Sequence, residues 1–403
     1  MRYIRETLDA LTGKYGSPLY VFDEESFIEN YRKLYFSMLS KYEKYNIAYS
    51  FKTNYAPYIC QIVKELGGYA EVVSLLEYNL AKKIGFSDER IIFNGPVKAS
   101  AGIIALIRGS IVNADNLAEL ELMCETAKET KRDNIKIGIR VNINVGQDFV
   151  SRFGIHENDL EKAFLLAQKY GVKIAGLHCH ISRARELDAW IERTESLLRI
   201  SDRFMPEGPD FIDLGSGMYG KMDKSLADQF DYIPSYEQYA QVTAEIISKH
   251  FRGENRPLFF TEPGTTLISS YMECIGVVES IKEIDNHWFA VLNCSIHNLG
   301  ETCILKRLPV SVVSAGKKQR KYDSIDLTGY TCLEQDVMLP GFSGMLAEGD
   351  YVIFGNVGGY SNVLKPPFIN PNCAIVSRKG NDYTIIKTAE TEEDLLHTYK
   401  FKG

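Results

Sequence analysis

Four short stretches bring together residue types that could do chemistry: Lys52 in IAYSFKTN, His178 and His180 in GLHCHIS, Gly215, Ser216 and Gly217 in DLGSGMYG, and Glu262 with Gly264 in TEPG. A lysine that closes an apolar run has two chemical uses. It is a point charge for a phosphate, or a desolvated amine that forms a Schiff base with a carbonyl. A plain ion pair with a carboxylate is the third reading. The small residues of DLGSG would let backbone N–H groups approach an anion, although glycines at strand ends also simply turn the chain. His178 and His180, two apart, would share one face of a strand. No carboxylate neighbours them in sequence, so no metal is expected there. The eight cysteines form no CxxC pair and read as free thiols.

These groups need a framework. Short apolar runs recur at Ile47–Phe51, Tyr69–Ser74, Ile91–Phe93, Ile111–Asn113, Ile137–Val141, Ile174–His180, Phe211–Leu214 and Leu258–Thr261. They are continuous rather than alternating, which suits parallel strands covered on both faces. Segments such as SLLEYNLAKKIGF and ENDLEKAFLLAQKYG lie between them, with helical spacing and a glycine near the end. Eight such units predict an α/β TIM barrel over residues 26–270. A doubly wound open sheet is the runner-up, without the G-x-G-x-x-G turn it would favour. After about residue 270 strands follow one another without long helices. Residues 271–403 therefore read as an antiparallel β-rich domain, which the strand in residues 1–25 would join. A chain of 403 residues with net charge -7 offers no basic face for nucleic acid and no membrane-length apolar run. Its charged opening stretch lacks a signal peptide's apolar core, so cytoplasm is the expected location.

In a TIM barrel, reacting groups sit at the C-terminal ends of the strands. Lys52, Glu71, Ser74, Asn94, Asp115, Arg140, His178, His180, Gly215 and Glu262 all fall there. An amine, a phosphate loop after strand seven and an acid after strand eight match the needs of pyridoxal 5'-phosphate: an aldehyde-binding lysine, a phosphate site and a partner for the pyridine nitrogen. YSFKTN, AEVVSLLEY, NGPVK, RVN with SRFGI, GLHCHIS, DLGSG, TEPG, GYTCLEQD and GGY also stand in one order along nearly the whole chain. In that order they resemble the fold-type III pyridoxal-phosphate decarboxylases, the diaminopimelate/ornithine/arginine decarboxylase family. The resemblance implies that Lys52 holds the cofactor as a Schiff base, His180 stacks on its ring and Glu262 pairs with the pyridine nitrogen. It implies that Gly215, Ser216, Gly217, Gly264 and Tyr360 bind the phosphate, and that Cys332 of a partner subunit protonates Cα. Asp336 would sit near the same entrance in a homodimer with shared active sites, and His178 would be structural.

Departures from the family pattern concern the substrate. HISR stands where HIGS is usual, so Arg183 would take over a phosphate contact or reach a substrate anion. Ser216 stands in the middle of the glycine loop. Thr265 replaces an arginine that helps to hold the far carboxylate of diaminopimelate. Leu333 follows the cysteine where an acid is usual, with Glu334 one place on. A site without those charges should reject a charged end. The expected reaction is therefore α-decarboxylation of an amino acid, or of a modified or carrier-bound conjugate, in a specialised pathway such as a natural product or siderophore. Thr265, Glu334, Asp336 and Cys332 are its expected contacts. Diaminopimelate decarboxylation in lysine biosynthesis, an alanine-racemase-like isomerase and a non-catalytic binding protein are the alternatives.

Overall fold

The computed structural model describes residues 3–130, 135–146 and 150–402. The chain forms two compact units. One comprises Asn30–Tyr219 and Tyr232–Thr266; the other comprises Met1–Glu29, Gly220–Asp231 and Leu267–Gly403.

In the first unit, each apolar run from the sequence contains a strand: Tyr45–Ser50 (β1), Tyr69–Val72 (β2), Ile91–Phe93 (β3), Ile111–Ala114 (β4), Lys136–Asn142 (β5), Gly176–His178 (β6), Phe211–Asp213 (β7) and Leu258–Thr261 (β8). Neighbours pair in parallel in the order β4-β3-β2-β1-β8-β7-β6-β5, and β4 pairs with β5 to close a barrel. A short strand, Ile155–His156, adds to β5. Both faces of β3 and β4 are buried, which explains their unbroken apolar sequence. The two helical patterns are the helices Leu75–Ile84 and Leu160–Tyr170, and each stops at the glycine seen in the sequence, Gly85 and Gly171.

One part of the barrel core is a cluster of Ala48, Ile92, Ile111, Ala175, Phe211 and Phe260. Two glycines make room for Phe211. A Cβ on Gly138 would stand 2.7 Å from its ring and 1.9 Å from Asn113 Oδ1. A Cβ on Gly176 would stand 2.5 Å from the Phe211 carbonyl oxygen, which is backbone and cannot swing aside.

Three strand ends differ from their sequence reading. β1 stops at Ser50, and Lys52 lies in a 3₁₀ turn, Phe51–Thr53. β2 stops at Val72, and Ser74 caps the next helix by accepting the Glu77 N–H. β6 stops at His178, so His180 lies in the following loop and the two histidines do not share a strand face.

The second unit is a nine-stranded sheet among the described residues. Strand Leu19–Asp23 joins it as expected, between Met272–Ile284 and Ala374–Lys379. The sheet is mixed, not wholly antiparallel. Leu19–Asp23 runs parallel to Ala374–Lys379, and His287–Leu292 parallel to Arg320–Thr328. Neither pair is joined by a hairpin, so no tight turn imposes opposite directions. Among the described residues, no helix is long and apolar enough to cross a membrane.

Gly176→Ala is expected to destabilise the chain by roughly 1–3 kcal/mol, the usual range for overpacking. Urea unfolding monitored by circular dichroism checks this, and an unchanged midpoint would contradict the packing described.

Candidate active site

The strand ends answer why a buried strand is followed by an ammonium group. Lys52 Nζ lies 2.5 Å from Glu71 Oε2, at the end of β2, and 2.7 Å from Ser50 Oγ. Ser50 Oγ in turn donates to the same carboxylate oxygen at 2.6 Å. Glu71 is buried, so the amine offsets a charge that would otherwise be costly there. Asn94, after β3, donates its amide group to Glu71 Oε1 at 3.1 Å and to Glu262 Oε1 at 2.5 Å. The Asn113 amide on β4 donates to Asn94 Oδ1 at 2.8 Å and so fixes which way the Asn94 amide faces. One polar array thus crosses the ends of β1, β2, β3, β4 and β8.

Glu262 follows β8 and is buried, with His178 Nε2 3.2 Å from its Oε2. Burial works against its charge, but the charge and hydrogen bond of His178 and the charge of Lys52 outweigh it. The carboxyl is held well below the usual range and stays ionised. Asp213, ending β7, is shifted the other way. Burial, and then the Glu262 charge beside it, raise its pKa well above the usual value. Its Oδ1 accepts the Gly215 N–H at 2.8 Å. His178, Asp213 and Glu262 offer atoms all within 4.8 Å of one another. Such a trio could hold a cation, yet it is also the carboxylate-rich end of the array just described.

His180 has Nδ1 3.0 Å from the Ser216 N–H, so Nδ1 is the acceptor and the ring is neutral. Burial, followed by the Lys52 and Arg140 charges, pushes its pKa well below the usual value, in agreement with that tautomer. The loop after β7 lies directly against the loop after β6. Gly215 and Gly217 have φ of +62° and +103°, and a Cβ on either would stand 2.3 Å from the carbonyl oxygen of Cys179 or Ile181. Gly264 approaches the turn after β1 equally closely, with its imagined Cβ 2.0 Å from Thr53 Oγ1. A cavity of about 490 Å³ opens over these groups, and its lining includes Lys52, Glu71, Arg140, His178, His180 and Glu262.

Ser182 lines the cavity, while Arg183 is exposed. Thr265 is half-buried at the start of a short helix, Thr265–Ile268. In the second unit Cys332 and Glu334 are exposed, and Tyr360 is half-buried with φ +56°. Asp336 is buried and its side chain accepts hydrogen bonds from Ile296 N, Thr331 N and Thr331 Oγ1, so it is occupied within its own loop. Gly215 N and Ser216 N likewise have protein acceptors here, Asp213 and His180.

The sequence reading missed Arg193, a fully buried arginine on the helix Leu187–Phe204. The signal was there: Trp190, Arg193, Thr194, Leu197, Leu198 and Ser201 recur at helical spacing on the buried face. A cation within such a stripe calls for a partner.

A closed parallel barrel with a lysine on a buried carboxylate, a second carboxylate kept ionised, a neutral imidazole and two loops meeting without Cβ atoms suits pyridoxal phosphate. These define a pyridoxal-phosphate enzyme of the barrel type. Residues 28–269 match the pyridoxal binding domain of the pyridoxal-dependent decarboxylases, and the chain belongs to that family. It is similar to the diaminopimelate decarboxylase of Methanothermobacter thermautotrophicus, 26% identical over 96% of this chain and 92% of that one. The diaminopimelate decarboxylase of Methanocaldococcus jannaschii is 27% identical over 98% of this chain and 94% of its own length. The crystal structure of the M. jannaschii enzyme with L-lysine shares the fold, with a TM-score of 0.85 at 23% identity over 98% and 94% of the two chains.

Asp213→Asn is expected to fold and to retain the cofactor, because asparagine mimics a neutral carboxyl. Asp213→Leu removes the acceptor for Gly215 N and should cost roughly 1–3 kcal/mol. The folded Asp213 keeps a proton that the unfolded chain has released, so its contribution falls as pH rises above the ordinary aspartate value. Glu262 acts with opposite sign, and its contribution is lost as pH falls below the ordinary glutamate value. Urea midpoints across pH should show the first slope flattened in Asp213→Asn; an unchanged slope would rule out a protonated Asp213.

Proposed function

We propose that this chain removes the α-carboxyl group of diaminopimelate or an amino acid closely like it. The observation that supports this most is that relatives named diaminopimelate decarboxylase align over 96% and 98% of the chain, both units included. Pyridoxal phosphate, when bound, supplies a conjugated ring that accepts the electron pair left at Cα as CO₂ departs. Lys52 would anchor it, with Glu71 and Ser50 orienting Nζ. Glu262, ionised and fixed by His178 and Asn94, would keep the proton on the pyridine nitrogen. The neutral ring of His180 would cover one face. The proton returned to Cα would come from Cys332 of the partner subunit in a homodimer; its exposed thiol suits that role.

Thr265 and Leu333 still lack the charges that the family pattern places there, and this favours a second reading, an amino acid with a neutralised or conjugated side chain. Against it, Arg152 lines the cavity and lies over the Phe153 ring at 4.2 Å. A guanidinium there could meet a distal carboxylate.

CO₂ release from meso-diaminopimelate is expected at about 1–10³ s⁻¹, the range of ordinary enzymes. Turnover only of acylated or carrier-linked amino acids would replace the first reading by the second. Lys52→Ala should lose turnover while remaining folded, and borohydride reduction of the native enzyme should label position 52; a label elsewhere would overturn the mechanism.

A further inference from the structure

Arg193 is fully buried, and among the described residues no carboxylate lies within ion-pair distance of its guanidinium. Four carbonyl oxygens take its protons instead. Nη1 donates to Leu214 at 3.4 Å and Ser216 at 2.8 Å; Nη2 donates to Ile181 at 3.2 Å and Ala184 at 2.6 Å. Its Nε has no acceptor among the described residues, and its Cζ lies 4.0 Å from the centre of the Trp190 ring, whose indole N–H donates to the Gly217 carbonyl at 3.2 Å. One side chain therefore ties the loop after β6 to the loop after β7. Burial draws its pKa down to about 10, so it remains a cation at neutral pH. A cation held by carbonyl dipoles alone is poorly compensated.

Peptide planarity decides what faces the other way. In a trans peptide the carbonyl and the next N–H point in opposite directions. With the Ile181 and Ser216 carbonyls turned to Arg193, the N–H groups of Ser182 and Gly217 point away from it. Neither has a protein acceptor among the described residues, and Ser182 lines the cavity. Two outward N–H groups backed by a buried positive charge make an anion site.

We propose that Arg193 is a positioning residue for the cofactor's phosphate group: it sets the peptide planes of both loops and supplies, from behind them, the positive charge that the phosphate offsets. It does not touch the phosphate. The inference rests on the family's cofactor and is independent of which amino acid is the substrate. Arg183, exposed on the same loop, is not needed for it.

The test is the affinity of the cofactor-free full chain for pyridoxal phosphate and for pyridoxal, titrated by absorbance, beside thermal unfolding. The native protein is expected to prefer the phosphorylated form by at least about 100-fold; no preference overturns the proposal. Arg193→Gln should weaken pyridoxal phosphate by about tenfold or more and leave pyridoxal nearly unchanged. A folded Arg193→Gln protein that loses both ligands by the same factor, or neither, shows a structural role alone and also overturns it. If that variant does not fold, Arg193→Lys decides, since it keeps the charge without the fork. Selective weakening of pyridoxal phosphate supports the proposal; unchanged affinity for both ligands, or an equal loss of both, defeats it.

Discussion

Ionised carboxylates at the mouth of an apolar barrel are the constraint from which the rest of the site follows. Glu71 and Glu262 are both buried, and Asn94 donates to both. Two such charges cannot stand near each other unless cations and donors answer them. Lys52 and Ser50 answer Glu71; His178 answers Glu262; the single Asn94 amide divides its two protons between them. Asp213, which has no cation of its own, is driven to the neutral form instead. The amine is thus held at a fixed place while the second carboxylate stays ionised for a protonated ring nitrogen. Both are properties of one electrostatic balance.

The same balance explains the neutral His180. Lys52 and Arg140 already supply positive charge near it, and a further cation would be disfavoured. The Ser216 N–H settles the matter geometrically by occupying Nδ1. A neutral, flat ring can lie against an electron-poor pyridinium without repelling it. Electrostatics here chooses the protonation state, and packing between the loops after β6 and β7 chooses the orientation.

How much of this was legible in the sequence depends on range. The barrel strands were readable because burial on both faces leaves continuous apolar runs, a local signal. Lys52, Glu262 and Gly215 were readable because they stand at the ends of those runs. Ser74 was misplaced because a serine after a strand also reads as a helix cap, and its Glu77 partner makes it one. Arg193 escaped because its four partners lie 9 to 23 residues away in the chain. The helical stripe marks a buried cation in need of a partner, but not which loops it ties until those loops are placed. The parallel pairs of the second unit escaped for a similar reason: their partners are distant in sequence and no turn residue marks them.

Asp336 illustrates how a residue outside the reacting set can still matter to it. Its two carboxylate oxygens take the Ile296 N–H, the Thr331 N–H and the Thr331 hydroxyl, and its own carbonyl accepts the Gly329 N–H at 2.9 Å. A Cβ on Gly329 would stand 2.1 Å from Asp336 Oδ2, so the turn closes only around a glycine. The segment from Gly329 to Asp336 is therefore pinned at both ends by one buried acid, and Cys332, Leu333, Glu334 and Gln335 are exposed on it. A side chain exposed on such a turn gains a fixed placement without burial. Here the Asp336 carboxylate serves that placement by organising backbone, which is why an acid at position 336 and a glycine at 329 belong to one device.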